Sequence, residues 1–234
     1  APGPRGMMDR HHRTAAPLWA NGRLFVPGDN RVVAADAYNG TPLWSIDVPE
    51  SRRAGVYRDC SYLAASGDSL YISAADRCLY IDAQTGKQLK VFAVPNSNDE
   101  AVEWGYLATV DDLLFGSRQK RGSTRRDHSR DQIEEGTYFD ARPLVCSDEF
   151  FALERNTGDT FWKYHPSSGP IVNSTIAVAD GRVYFVESTD ESLSKSETGR
   201  HKAATLFRLP AQLTAIDMRT GSLLWKKPID LRHI

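Results

Sequence analysis

Cysteine is scarce in this chain, three in 234 residues, and the spacing excludes the chemistry that cysteine often signals. There is no Cys-x-x-Cys-His for haem attachment and no zinc-type spacing. Cys60 is expected on the first strand of a structural unit and Cys78 on its third. A whole strand then separates them, at roughly 9 to 10 Å, beyond disulfide reach. Cys146 sits by a loop without an evident partner, so all three are expected to be free, and they leave the compartment open. Net charge is lacking too: 29 Lys and Arg face 30 Asp and Glu, a formal charge of -1, which argues against a general nucleic-acid binder. No apolar run approaches a membrane span and no secretory pattern opens the sequence. Gly-x-Ser-x-Gly, phosphate-loop and similar nucleophile patterns are absent. The opening APGPRG lacks an initiator Met, from which a mature product or an excised piece is expected.

What is present is a repeat, in a chain whose 41% hydrophobic and 25% charged residues are ordinary for a globular protein. An acid, a Gly four residues later and an aromatic four after that recur along the chain. Asp36, Gly40 and Trp44 form the first copy, Asp82 and Gly86 the second, Glu154, Gly158 and Trp162 the third, and Asp217, Gly221 and Trp225 the fourth. Before each acid runs a short apolar segment (RVVAAD, RCLYID, EFFALE, QLTAID) rich in β-formers, which reads as a strand. The carboxylate can accept from amides two or three residues on, and the Gly supplies the positive φ of a tight hairpin. Ala34, Ala152 and Ala215 stand two residues before the acid, which suggests that a large side chain of one unit fits over a small one of its neighbour.

Upstream of each copy lies another strand pair joined by a polar or Gly-containing turn: PLWANGRLFVPG, YLAASGDSLYIS, YLATVDDLLFGS and TIAVADGRVYFV. Four short strands per unit predict an all-β protein, a β-propeller of four-stranded antiparallel blades, in which neighbouring blades bury each other's faces. A sandwich gives no reason for a Trp at one phase of each unit. The blades are read at about 14–49, 60–95, 104–168 and 171–230.

The pattern Ala-x-Asp/Glu-x-x-Thr-Gly-x-x-x-Trp, nearly complete at 152–162 and 215–225 and with Asn39 for Thr in the first copy, resembles the tryptophan-docking repeat of the PQQ-like (quinoprotein dehydrogenase-like) propellers. The resemblance implies an eight-bladed ring with a Trp wedged between adjacent blades, and a location in the periplasm or outside the cell. The second copy departs at both interlocking positions, with Tyr80 for the small residue and Lys90 for the Trp, so the resemblance implies no wedge there. Four blades of eight imply further partners: the remaining blades of a longer parent chain, or a second copy.

Two insertions interrupt the pattern. From the second-strand aromatic to the acid the separation is 11 residues in blades one and two, but 39 in blade three (Phe115 to Glu154) and 33 in blade four (Tyr184 to Asp217). Both insertions, about 118–145 and 188–210, therefore enter the connection between strands two and three, on one face of the scaffold, where binding often resides. The first is basic, and Arg121, Arg125 and Arg126 are its candidate anion-binding set. The plainer expectation for both is a solvated loop, more so for the mixed-sign second.

A second candidate site is the axial mouth, where residues just ahead of each first strand gather: Arg13, Arg58, Asp59, Glu103, Trp104 and Asn173. Cofactor-bearing relatives, by the resemblance, hold quinone and calcium there with an aromatic floor, acid and amide ligands and an Arg. Members that oxidise alcohols commonly show adjacent cysteines, which this chain lacks. Asp9, His11 and His12 could ligate a metal, but adjacent histidines point apart in extended chain, and a surface loop is expected. The reading is a non-catalytic module that binds or scaffolds a protein or anionic ligand, with no cofactor expected. The alternative is a segment of a quinone-dependent alcohol or sugar dehydrogenase, which would need PQQ and calcium.

Overall fold

Each acid-to-Gly string closes a hairpin in the same way in the computed structural model, which describes residues 16–28, 30–51, 60, 62–95, 102–124 and 143–232. Asp36 accepts from the amides of Tyr38 and Asn39 at 2.9 and 3.0 Å, and Asp82, Glu154 and Asp217 accept likewise from the residues two and three beyond them. The amide of the Gly then donates to the acid's carbonyl at 2.8 or 2.9 Å in all four turns. The left-handed φ of +69° to +83° at Gly40, Gly86, Gly158 and Gly221 makes that geometry possible. Amides that bond the charged carboxylate stabilise it: the Thr85 amide holds Asp82, and the Thr220 amide holds Asp217, below the usual carboxylate value.

Blade one is β1 (Leu18–Ala20), β2 (Arg23–Gly28), β3 (Arg31–Asp36) and β4 (Pro42–Asp47), and blade two is β5 (Leu63–Ser66), β6 (Ser69–Ala74), β7 (Arg77–Asp82) and β8 (Gln88–Ala93). Both are antiparallel sheets paired in chain order. Cys60 falls ahead of β5 rather than on the first strand, while Cys78 lies on the third as expected. None of Cys60, Cys78 and Cys146 is in a disulfide. Blade three is β9 (Val102–Val110), β10 (Leu113–Lys120), β11 (Pro143–Glu154) and β12 (Thr160–Tyr164). A two-residue strand, β13 (Ile171–Val172), follows it. Blade four is β14 (Ala177–Ala179), β15 (Arg182–Ser188), β17 (Ala211–Asp217) and β18 (Leu223–Ile229), with β16 (Arg200–Lys202) inserted before its third strand.

The apolar core lies between blades. Phe25, Val32 and Ala34 of blade one pack with Leu63, Leu70 and Ile72 of blade two. Tyr71 and Phe92 pack with Trp104, Leu114 and Phe151 of blade three, and Phe115, Phe150 and Trp162 pack with Ile171, Val183, Phe185 and Ile216. A middle blade is therefore buried on both faces. That is why β6 is buried along its whole length while β3 of blade one alternates.

Trp44 and Trp162 seal two of these joints. Trp44 lies over Gly86, where a Cβ would come within 2.9 Å of its ring, and its Nε1–H donates to the Ala83 carbonyl at 3.0 Å. Trp162 repeats this on Gly221 and the Met218 carbonyl, at 2.6 and 3.1 Å. The expectation that the small residue receives a neighbour's large one is corrected by the register. Ala34 stands opposite Trp44, Ala152 opposite Trp162 and Ala215 opposite Trp225, each within one blade. The small side chain leaves room for the indole to lie across its own sheet, and the neighbour's contribution is the bare Gly turn.

The joint after blade two is closed too, although Lys90 replaces the Trp. Three residues divide the indole's work. Phe92 supplies the ring against Gly158, where a Cβ would lie 2.5 Å from Cδ1. Tyr71 donates its hydroxyl to the Arg155 carbonyl at 3.1 Å, and Lys90 Nζ donates to the Asn156 carbonyl at 2.7 Å. Burial pushes the Tyr71 phenol up to about 12. Tyr80, opposite Lys90, stacks on Tyr71 at 5.0 Å between ring centroids.

Candidate functional site

Blades three and four become one sheet near the ends of β11 and β15. β13 pairs with β11 (Cys146 opposite Val172, Ser147 opposite Ile171) and with β15 (Ile171 opposite Glu187). One cross-strand row thus runs Glu103, Gln119, Ser147, Ile171, Glu187, Gln212 and Pro228 through seven strands. Its charged and polar members from Glu103 to Glu187 are buried, so their partners decide what this end can do.

Glu187 is fully engaged. Tyr164 donates its hydroxyl to Oε2 at 2.9 Å, Gln212 donates to Oε1 at 2.5 Å, and Lys226 Nζ lies 2.5 Å from Oε1. Burial alone would lower the Lys226 pKa, but its bonds to Glu187 and Tyr164 outweigh this and raise it. Burial pushes Tyr164 up to about 12. A saturated carboxylate of this kind fastens blade three to blade four. Glu149, also buried, has His165 Nε2 at 3.2 Å and Lys163 Nζ at 3.9 Å.

Of the axial set, Glu103, Trp104 and Asn173 are described, while Arg13, Arg58 and Asp59 lie outside the described residues. Glu103 and Trp104 belong to β9 itself, and Asn173 opens a 3-10 turn, Asn173–Thr175, ahead of β14. Trp104 is 1% exposed, edge-on to Phe151 at 5.1 Å, and its Nε1–H donates to the Tyr106 carbonyl at 3.1 Å. Asn173 donates from Nδ2 to Gln119 Oε1 at 3.0 Å. Beside them Ser147 donates to Ser117 Oγ at 2.9 Å. Gly105 closes this pocket of polar atoms, since a Cβ there would fall 2.4 Å from Ser117 Oγ.

A quinone with calcium requires an aromatic face and ligand oxygens turned towards a cavity. Trp104, Glu103 and Asn173 are only 1%, 2% and 1% exposed. The described residues of the axial set do not fit that group. No set of three His, Cys, Asp or Glu placed to hold a metal occurs among the described residues. Asp9, His11 and His12, and Arg125 and Arg126 of the basic insertion, lie outside the described residues, whereas Arg121 is exposed at the turn after β10.

The second insertion differs most from its expectation as a solvated loop. It folds into a small lobe: a 3-10 turn at Glu191–Lys195, the strand β16 and one helical turn at Ala203–Leu206. β16 pairs with the start of β11, His201 opposite Leu144. Leu193 and Leu206 pack on Leu144, Cys146 and Val172, with Phe207 and Leu209 at the margin. Lys120 Nζ, at the end of β10, donates to the carbonyls of Ser194 and Ser196 at 2.9 and 2.5 Å. The clue in the sequence was these apolar residues, spaced among the charges.

A family model described as the outer membrane protein assembly factor BamB, a PQQ-like repeat, matches residues 10–105. No curated protein matches the sequence. By structure the chain is similar to a quinohemoprotein alcohol dehydrogenase from Comamonas testosteroni, with TM-score 0.58 and 15% identity over 90% of this chain and 34% of that one. It is similar to a second such enzyme from Pseudomonas putida HK5, with TM-score 0.56, 16% identity, 90% of this chain and 33% of that one. The Pan2 WD40 domain of Neurospora crassa gives TM-score 0.56 and 12% identity over 92% of this chain and 51% of that one. The chain thus spans between a third and a half of the solved propellers it matches. At these identities the likeness shows the fold, a β-propeller.

Proposed function

We propose that this chain of PQQ-like β-propeller repeats is a non-catalytic module that binds or scaffolds a protein or anionic ligand in the periplasm or outside the cell. One observation carries the reading: the residues whose types match a cofactor site, Glu103, Trp104 and Asn173, are buried in blade packing. Lys120, at the end of β10, fastens the lobe of the second insertion to blade three. Among the described residues no helix is long and apolar enough to cross a membrane. The test is a titration of the 234-residue chain with PQQ and calcium. An unchanged quinone spectrum is expected, and a saturable shift accompanied by alcohol oxidation would establish the dehydrogenase reading instead. If Arg121, Arg125 and Arg126 hold an anionic partner, their joint change to Ser weakens binding to an acidic polysaccharide and flattens its salt dependence. Affinity indifferent to both rejects that part.

Further blades, from a longer chain or a second copy, are part of this proposal. Trp225 is half-buried, lies 6.1 Å from Tyr184 and has Lys227 over its ring. At the other end nothing lies within 4 Å of a Cβ on Gly40, Tyr38 is 98% exposed and Trp19 is 69% exposed. These are the two halves of the joint seen between Trp162 and Gly221. Large exposed apolar faces are uncommon on soluble monomers. The chain alone is therefore expected to self-associate or bind an apolar dye, and a compact, dye-silent monomer in light scattering would reject this.

A further inference from the structure

The lobe at 188–210 rests on a narrow footing. A three-residue ladder, a bond from the Cys146 amide to the Gly199 carbonyl at 3.0 Å, the Lys120 clamp and an apolar seat of a few side chains hold it to blade three. His201 stands at the centre of that footing, on β16. Its Nε2 is buried and has no hydrogen-bond partner. A neutral imidazole can leave an acceptor nitrogen unpaired, at modest cost. An imidazolium cannot, because it then carries an N–H buried without an acceptor and a charge beside the Lys120 ammonium.

We propose that the lobe is an acid-released cover over the end of blade three, with His201 as the residue whose protonation lifts it. Leu144, Cys146 and Val172, buried beneath the lobe when it is docked, become an exposed apolar surface when it leaves. Opening of this kind is local and does not require the blades to unfold.

The charged groups around His201 set the sign. Lys120 on β10 opposes its protonation, and Asp148 on β11 and the Leu193 carbonyl of the 3-10 turn favour it. Arg200 and Lys202 flank it on β16, and Glu191 and Lys195 of the turn are exposed. Burial first, and then Lys120, keep His201 below its ordinary value of 6.5. A freed lobe therefore takes up the proton as the pH falls through about 6.5 while the docked one resists, so docking weakens towards acid and is intact above that value. Asp148 acts in the opposite direction. Burial raises its pKa, so its carboxyl accepts a proton in the docked state sooner than in the freed one.

Cys146 reports the opening, because it is buried under the lobe. The 234-residue chain is treated with dithiodipyridine at about pH 7.5 and pH 5, and labelling at each Cys is located by mass spectrometry. Rates are divided by those of the urea-unfolded chain at the same pH. Labelling of Cys146 should rise on acidification by several-fold, up to about 30-fold, the limit for an imidazole of pKa near 6.5 that stays neutral when docked. Cys78, inside blade two, should stay protected, and His201→Gln should abolish the acid-induced rise, leaving only the opposite trend that Asp148 sets. A flat response, a His201→Gln variant with the parent's response, or Cys78 rising in step with Cys146 would each overturn the proposal. Asp148→Asn, which leaves His201 in place, provides the second arm. It should make the acid response steeper, and an unchanged or shallower one counts against the cover.

Discussion

Phe92→Ala tests whether the joint between blades two and three is a true substitute for the tryptophan joints. The phenyl ring is 5% exposed, lies in the core shared with Trp104 and Phe151, and sits where Trp44 and Trp162 sit in their joints, against a turn Gly. Truncation opens a cavity over Gly158 that rigid backbone on both sides cannot fill, and should cost about 3 to 5 kcal/mol. With a urea slope of about 3 kcal/mol/M, the midpoint falls by roughly 1 to 2 M at unchanged slope. The hydrogen-bonding share is separable. Tyr71→Phe strands the Arg155 carbonyl at about 1 to 3 kcal/mol, while Lys90→Ala, at an exposed site, should cost under about 1 kcal/mol. Lys90→Trp is the sharpest form of the test. The consensus residue would meet Tyr80 across the strand and Phe92 already on Gly158, so overpacking should destabilise by about 1 to 3 kcal/mol. A stabilised Lys90→Trp chain, or a Phe92→Ala midpoint equal to the parent's, would refute the reasoning.

Trp162→Ala should cost about 3 to 5 kcal/mol in the same denaturation assay, from its lost packing and the stranded Met218 carbonyl. Gly221→Ala places a Cβ 2.6 Å from the Trp162 ring and should lower thermal stability sharply. Gly40→Ala, with open space around it, should show only the left-handed strain of about 1 to 2 kcal/mol. Burial pushes Tyr71, Tyr106 and Tyr164 up to about 12, so ultraviolet titration should show a late ionising step. That step should merge with the main one near pH 10 in urea, since unfolding frees the phenols and the native state loses stability as pH rises through 10.

The repeat was legible because its period is enforced by backbone chemistry: an acid that caps a turn and a Gly at positive φ have few substitutes. Trp44 and Trp162 were found for the same reason. What the sequence hid was compensation across strands. Phe92, Tyr71 and Lys90 lie up to 21 residues apart and replace one indole only once β6, β7 and β8 are assembled in one sheet. The lobe was hidden by averaging, since Leu193, Leu206 and Phe207 are few among many charges, although in place they form one patch. The axial residues Glu103, Trp104 and Asn173 were singled out by type and position, and type says nothing of burial. Trp104 looked like a floor for a ligand and is a wall between two blades.

Units of a repeat array can be gained or lost because each contacts only its neighbours. Here β13, two residues long, extends main-chain bonding from β11 to β15 and removes that freedom at one seam. Blades three and four therefore share one continuous sheet. A deletion or recombination boundary placed between them would cut a continuous sheet, whereas a boundary after blade one would cut, among the described residues, side-chain packing and side-chain hydrogen bonds. The joint between blades two and three also carries a main-chain bond, from the Trp104 amide to the Ala75 carbonyl at 2.7 Å, so engineered exchanges of blades in this chain are best placed at the joint after blade one, with the last two moved together.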